Sequence, residues 1–242
     1  VYTKAPLAFT TLDKSKAATS FLVVNDIHEH ADRMKTLFER AGYKNKDLVF
    51  FNGDMLSLFD KEQKFWGGFM DTAVSMFAGE KPLYYVRGNH ETRGQMADRF
   101  HRYVRPNDAH LYFTVEQGPV FFICLDTGED KLDTSEEYGG IVSCHRFRQR
   151  QTEFLKRVVE NADHEYNAPG VERRFAICHV PFMTELMANS GDKFDIEREI
   201  RFFHILLLVD GDNSESKAAV FLRRSGNGSV FSQNQTQREI VG

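Results

Sequence analysis

Cysteine is scarce in this chain of 242 residues, and Cys124, Cys144 and Cys178 are an odd set with no close-spaced pair. Neither a disulfide framework nor a thiolate zinc site is indicated, and buried thiols are the simpler expectation. Long apolar runs are missing too. The longest aliphatic run, residues 205–209, is strand-sized and far short of the ~20 apolar residues that cross a bilayer. No run of Lys or Arg forms a basic patch and the formal charge is -4, so nucleic acid is not expected as a primary partner. No internal repeat is present. Val1 does not open a segment of signal-peptide form.

What remains is enough for a sizeable core: 41% of the residues are hydrophobic and 22 are Phe, which most simply fill space between helices and sheet. Residues 1–20, with Pro6 and a Lys/Ser/Thr/Ala-rich stretch, read as a connector or edge segment from a possible upstream domain, and residues 21–242 as the main domain. Short runs rich in Val, Phe, Tyr and Ile at 21–24, 48–51, 83–86 and 175–178 predict buried strands. Between the first two, Ala31, Met34, Leu37, Phe38 and Ala41 recur at helical spacing up to Gly42. A second helix is predicted over 65–77, with Phe69, Ala73 and Met76 on one face. This alternation argues for parallel βαβ units in an α/β fold.

Beyond Gly94 a helix to about Val104 is expected, then strands at 111–115 and 120–125 punctuated by Gln117-Gly118-Pro119. A long polar, acidic loop follows over 126–143, then a helix at 147–159 and a strand at 173–178. A helix at 194–204 and strands at 205–209, 218–222 and 229–231 complete the expectation.

Each of four apolar runs is followed directly by a polar cluster: Asp26-Ile27-His28, Gly53-Asp54, Gly88-Asn89-His90-Glu91, and His179. Strand carboxyl ends gather loops in one crevice, which brings distant residues within reach of one ion. Asp and His suit Mn, Fe or Zn, and a central carboxylate such as Asp54 can bridge two ions. Two ions ~3.5–4 Å apart act on phosphoryl groups by activating water and neutralising charge. Asn89 is a weak ligand that needs a fixed site, and the neighbouring His90 can protonate a leaving alkoxide.

Together these clusters resemble the calcineurin-like metallophosphoesterases over about residues 21–182. The resemblance implies an αββα sandwich, with mixed β-sheets flanked by helices, that hydrolyses a small phosphate ester through a metal-bound hydroxide at a dinuclear site. By it, Asp26 and His28 hold one ion, Asp54 bridges, Asn89 and His179 hold the second, and His90 with Asn89 acts on the substrate. Residues 50–54 and 121–130 more narrowly resemble exported phosphohydrolases of the Bacteroidetes type, some with an N-terminal fibronectin-like domain. That likeness implies a periplasmic or secreted protein. Substrate, choice of metal and oligomeric state are not specified.

The pattern breaks in three places. The family's last motif, Gly-His-x-His, is absent: His204 is the last histidine, and 205–209 runs into Asp210-Gly211-Asp212-Asn213-Ser214. Three explanations stand side by side. A segment is missing from the sequence, Asp212 replaces a histidine at a weaker or single-metal site, or the chain is an impaired homologue acting as a binding module. Glu29 stands where Gly often follows Asp-x-His, and Ser57 where Ser/Thr protein phosphatases place an acidic partner for their histidine. Nothing in the sequence then orients His90.

Each cluster also has a plain reading. Gly88 and Asn89 suit a turn, and His179 can simply end a strand. Arg93 reads equally as a phosphate contact or a solvated residue, and the acidic stretch 129–137 equally as an overhang or a surface. His30, His101, His110, His145, His164 and His204 lack motif context and read as surface or packing residues.

Overall fold

A computed structural model describes residues 8–104, 110–130, 133–138, 142–180, 206–209 and 217–221. Phe21–Asn25 (β1), Leu48–Asn52 (β2) and Leu83–Val86 (β3) are the first three strands. Ala31–Arg40 (α1) connects β1 to β2, and Gly42 ends the connection at φ 62. Between β2 and β3 a continuous helical segment starts as Glu62–Phe65 (α2). It widens into a π-helix at Trp66–Met70, returns to α geometry at Asp71–Ala73 (α3) and widens again at Val74–Ala78. The helix expected beyond Gly94 is only a 3₁₀ turn, Ala97–Arg102. Phe113–Gln117 (β4) and Val120–Cys124 (β5) form the expected hairpin. Cys144–Glu160 (α4) precedes Arg173–Cys178 (β6), and Leu206–Val209 (β7) and Lys217–Phe221 (β8) complete the strands.

The strands divide into two four-stranded sheets, ordered β3-β2-β1-β8 and β4-β5-β6-β7. Both are mixed, since β8 runs antiparallel to β1 and β4 antiparallel to β5 while the other pairs are parallel. Side chains alternate faces along a strand, so a strand buried on both sides must be apolar throughout. In β1 and β2, Leu22, Val24, Val49 and Phe51 pack towards the helices, whereas Phe21, Val23, Leu48 and Phe50 face the second sheet. From the other side Phe122, Cys124, Phe175 and Ile177 meet them, leaving Phe121, Ile123, Ala176 and Cys178 for α4. The result is four layers, helix, sheet, sheet, helix. Phe therefore fills the space between the sheets as well as that under the helices: Phe21 meets Phe122 edge-on at 4.8 Å and Phe122 stacks on Phe175 at 5.7 Å.

Parallel pairing puts the carboxyl ends of β1, β2 and β3 on one edge, and β6 ends beside them. At that edge the Arg87 Nε lies 2.7 Å from Asp126 Oδ2, tying the exit of β3 to the exit of β5. Val209 pairs with Cys178, next to His179, and Lys217 pairs with Asn25, next to Asp26, the two strands being separated in sequence by residues 210–216. These residues, like His204 and the expected helix 194–204 and strand 229–231, lie outside the described residues. No helix among the described residues is long and apolar enough to cross a membrane.

Candidate functional site

Every residue singled out in the four clusters arrives at this one edge. Asp26 follows β1, Asp54 follows β2, Asn89 and His90 follow β3, and His179 follows β6. The backbone there is unusual: Asp26, His28, Glu29 and Asp54 all have positive φ, between 47° and 59°. Such conformations cost of order 1–3 kcal/mol each and persist only where the surroundings impose them. Gly53 (φ 79) is required for a different reason, because a Cβ there would stand 2.5 Å from the His179 ring. That close approach brings the second sheet's histidine to the first sheet's aspartate.

Asp26, Asp54 and His179 each offer a donor atom, and these atoms lie within 4.8 Å of one another. His179 Nε2 is 3.2 Å from Asp54 Oδ2, while its Nδ1 is 2.7 Å from the Asn52 carbonyl. An Nδ1–H donated to a carbonyl leaves Nε2 as the ring atom facing the cluster, the arrangement expected of a metal-binding histidine. His28 Nε2 lies 3.6 Å from Asp26 Oδ1. His90 packs edge-on against His28 at 4.9 Å, with its Nε2 3.8 Å from Asp54 Oδ2.

One end of the Asn89 amide is 3.3 Å from Asp54 Oδ2 and 3.2 Å from His179 Nε2, and the other is 3.1 Å from Arg93 Nη2. With its NH2 turned inward, the amide donates to both groups and accepts from Arg93. With its oxygen turned inward, three acceptor atoms face one another. Metal–donor bonds of about 2.0–2.2 Å at tetrahedral or octahedral angles separate donors by about 3.0–3.5 Å, so the residues present fit a bound ion.

The two sides of the cluster differ in depth. Asp54, Asn89 and His179 are 4%, 6% and 5% exposed. The side chains of Asp26 and His28 are 15% and 30% exposed. Burial alone would raise the Asp54 carboxyl, but the bond from His179 and the nearby His90 hold it below the usual carboxylate range. Burial likewise pulls the His179 imidazole down, and the Asp54 carboxylate overrides it to set a value of about 9. The bond with Asp26 raises His28 against the opposing pull of burial.

Several residues that hold this site carried no role in the sequence reading. The fully buried Glu91 carboxylate accepts the N–H groups of Asp54 (2.9 Å), Leu56 (3.0 Å) and Gly88 (2.8 Å) and the Tyr85 hydroxyl (2.9 Å). It fastens the loop after β2 to the loop after β3. Burial first, and repulsion from Asp54 second, push its carboxyl above the ordinary range. The signal was its place directly after Gly88-Asn89-His90. Asn52 acts similarly, donating from Nδ2 to the Cys178 carbonyl at 3.1 Å.

Arg93 is a half-buried residue held by Glu129, not a solvated one. Nη2 donates to Glu129 Oε2 at 2.8 Å and to Asp130 Oδ1 at 3.2 Å, while Nη1 lies 3.4 Å from His90 Nε2. Glu129 is 2% exposed, so the surface reading of the acidic stretch fails at its first residue. Asp133 accepts the N–H groups of Cys144 (2.9 Å) and His145 (3.1 Å), which starts α4 three residues before its expected beginning at 147. His30, His101, His110 and His164 are exposed and His145 half-buried, and none belongs to the donor group of Asp26, Asp54 and His179.

A family model for calcineurin-like phosphoesterases matches residues 19–205. Among solved structures, a dimetal phosphatase from Danio rerio is 13% identical, with 77% of this chain and 78% of that chain covered at a TM-score of 0.48. A purple acid phosphatase from yellow lupin (Lupinus luteus) seeds is also 13% identical, covering 80% of this chain at a TM-score of 0.50. This chain spans only 38% of the lupin protein, and the likeness is one of fold. A search among curated proteins finds no match. With the greater part of its length matched, the chain belongs to the calcineurin-like phosphoesterase family, and with it to the phosphoric ester hydrolases.

Proposed function

We propose that the chain hydrolyses a small phosphate ester at a dinuclear centre of transition-metal ions, Mn, Fe or Zn. The observation that carries this reading is the set of three acceptors, Asp54 Oδ2, His179 Nε2 and one end of Asn89, spaced 3.2–3.3 Å apart with Asp26 beside them. Bound there, such ions turn water into a nucleophile at neutral pH and neutralise charge on the phosphoryl group.

In this reading Asp26 and His28 hold the ion on the open side, Asn89 and His179 the ion on the buried side, and Asp54 stands between. Asp54 Oδ1 already accepts the His90 backbone N–H at 3.0 Å, so Oδ2 is the oxygen left to face bound ions. His90 keeps its Nδ1–H on the Ser57 carbonyl at 2.7 Å, so the proton that the ring in its imidazolium form would give to the departing alkoxide is the one on Nε2, and the neutral ring left behind retains Nδ1–H. Asn89, inside the same group, orients the phosphoryl oxygens. Asp212, the oxygen donor weighed as a replacement for a histidine of the missing Gly-His-x-His, lies outside the described residues. The narrower likeness to exported Bacteroidetes-type enzymes rests only on residues 50–54 and 121–130, and the comparisons add nothing to it.

Elemental analysis of metal-replete protein alongside an aryl phosphate assay tests the reading. Two ions per chain with turnover are expected. Fewer than one tightly held ion, with no hydrolysis across a panel of esters, would favour the impaired, single-metal binding module instead.

A further inference from the structure

Two positions at which the chain departs from its family's pattern are in direct contact. Glu29 Oε1 accepts the Ser57 backbone N–H at 2.9 Å, and Glu29 Oε2 accepts the Ser57 hydroxyl at 2.6 Å. Ser57 in turn faces two histidines of the cluster. Its carbonyl accepts from His90 Nδ1 at 2.7 Å, and its Oγ lies 3.4 Å from His28 Nδ1.

We propose that Glu29 is a positioning residue that sets the orientation and tautomer of His90, and supports His28, by clamping Ser57 from both its N–H and its hydroxyl. The inference rests on the reading of His90 as proton donor and deepens it. Ser57 and Leu58 are exposed and lie on the loop between Asp54 and α2, so a carbonyl at that place has little packing to hold it still. A bidentate carboxylate supplies what packing does not. With Ser57 fixed, an Nδ1–H donated to its carbonyl keeps Nε2 of His90 directed at the cluster. The weaker arm runs from His28 through the Ser57 hydroxyl to Glu29, a carboxylate acting on a metal-side imidazole at one remove.

The surrounding helix is shaped for this clamp. A Cβ at Gly68 would stand 2.9 Å from Glu29 Cγ and 3.1 Å from Glu29 Cβ, so a residue larger than glycine at 29 is matched by glycine at 68. Gly68 lies within the π-helical turn Trp66–Met70, and such turns inside α-helices occur often at functional sites. Glu29 itself holds φ 59, with its backbone N–H on the Met55 carbonyl at 2.9 Å. Side chain and backbone thus bind the same loop at Ser57 and Met55.

The test uses the whole chain, metal-replete, with ¹⁵N-labelled histidine. Imidazole tautomers are read by NMR, and kcat, KM and metal content are measured on an aryl phosphate. Glu29→Ala is expected to lower kcat about ten- to a hundredfold, the range for supports of metal-site residues, and to mix the His90 tautomers. Glu29→Gln retains most of both, because its amide accepts the Ser57 N–H and donates to Oγ. Ser57→Ala keeps the carbonyl, so the His90 tautomer stays fixed while metal retention weakens. Gly68→Ala reproduces the Glu29→Ala tautomer mixture without touching the carboxylate. A wild-type His90 tautomer and kcat in Glu29→Ala would overturn the proposal, as would equal losses in the Gln and Ala variants. Should the wild-type protein hydrolyse no ester, the functional reading falls, and the tautomer measurement still decides this one.

Discussion

The buried and the open side of the cluster are built by different means. Asp54, Asn89 and His179 sit at the junction of the two sheets, held by main-chain groups and by Glu91, a carboxylate with four donors. Asp26, His28 and His90 stand nearer the rim, where Glu29 clamps Ser57, whose carbonyl accepts from His90 and whose hydroxyl lies beside His28. The contrast teaches where rigidity comes from: below the surface, from strand ends that packing already fixes, and at the rim, from extra hydrogen bonds that must be added.

The sharpest break of this contrast is Asp54→Asn. It removes the charge shared by both sides, so metal content should fall to near zero, and turnover by about a thousandfold, the scale for removing one partner of a buried charge pair. Elemental analysis and kcat/KM report both. His90→Ala should cost about 10²–10⁴-fold in kcat while leaving metal content unchanged, since the part proposed for it is proton transfer. Full activity in that variant would remove His90 from the mechanism. Asp26→Asn, on the open side, should lower the stoichiometry from two ions to one and leave the buried ion in place. Loss of both ions would show that the two sides are not separable.

Glu91→Gln sharpens the comparison from below. Its amide cannot accept from all four donors, and a buried donor left without a partner costs about 1–3 kcal/mol, readable as a lower urea midpoint. Glu29→Gln, on the exposed rim, should leave that midpoint nearly unchanged.

The smallest expected effect is in acid. Burial raises the Glu129 carboxyl, but bonds from Arg93, Thr92 and Tyr138 outweigh it and hold the group below its ordinary value. The folded state therefore binds this proton less readily than the unfolded chain. The pair's contribution to stability is complete above the unfolded carboxylate range, ~4.3, and is lost as pH falls through the lower folded value. Arg93→Met should then be less stable than wild type at pH 7, with the difference shrinking towards pH 3. A difference that grew in acid would reverse the assigned sign.

The strands and the motif residues at their ends were readable because burial and chemistry leave local marks. Runs such as residues 48–51 must be apolar on both faces, and Asp26, Asp54, Asn89 and His179 each follow such a run. The helix expected beyond Gly94 shrank to a 3₁₀ turn because Phe59 holds Arg93 and Met96 through main-chain bonds, a tertiary constraint invisible to local periodicity. Arg93 and Glu129 could not be read as a pair because they are distant in sequence and each looks like a surface charge alone. Glu29 and Ser57 looked like two unrelated departures from a pattern until folding put them 2.6 Å apart.

By itself the sequence determined which residues are candidates for chemistry and which stretches must be strands, since donor type, apolar runs and turn residues are properties of neighbours along the chain. Only the tertiary structure decided that the strands divide between two stacked sheets, that His179 crosses from one to meet Asp54 of the other, and that Glu91 and Glu29 hold the site from beneath and from the rim. Those outcomes depend on how faces pack and on which buried polar groups find partners, and such energies exist only between parts of the chain that folding has brought together.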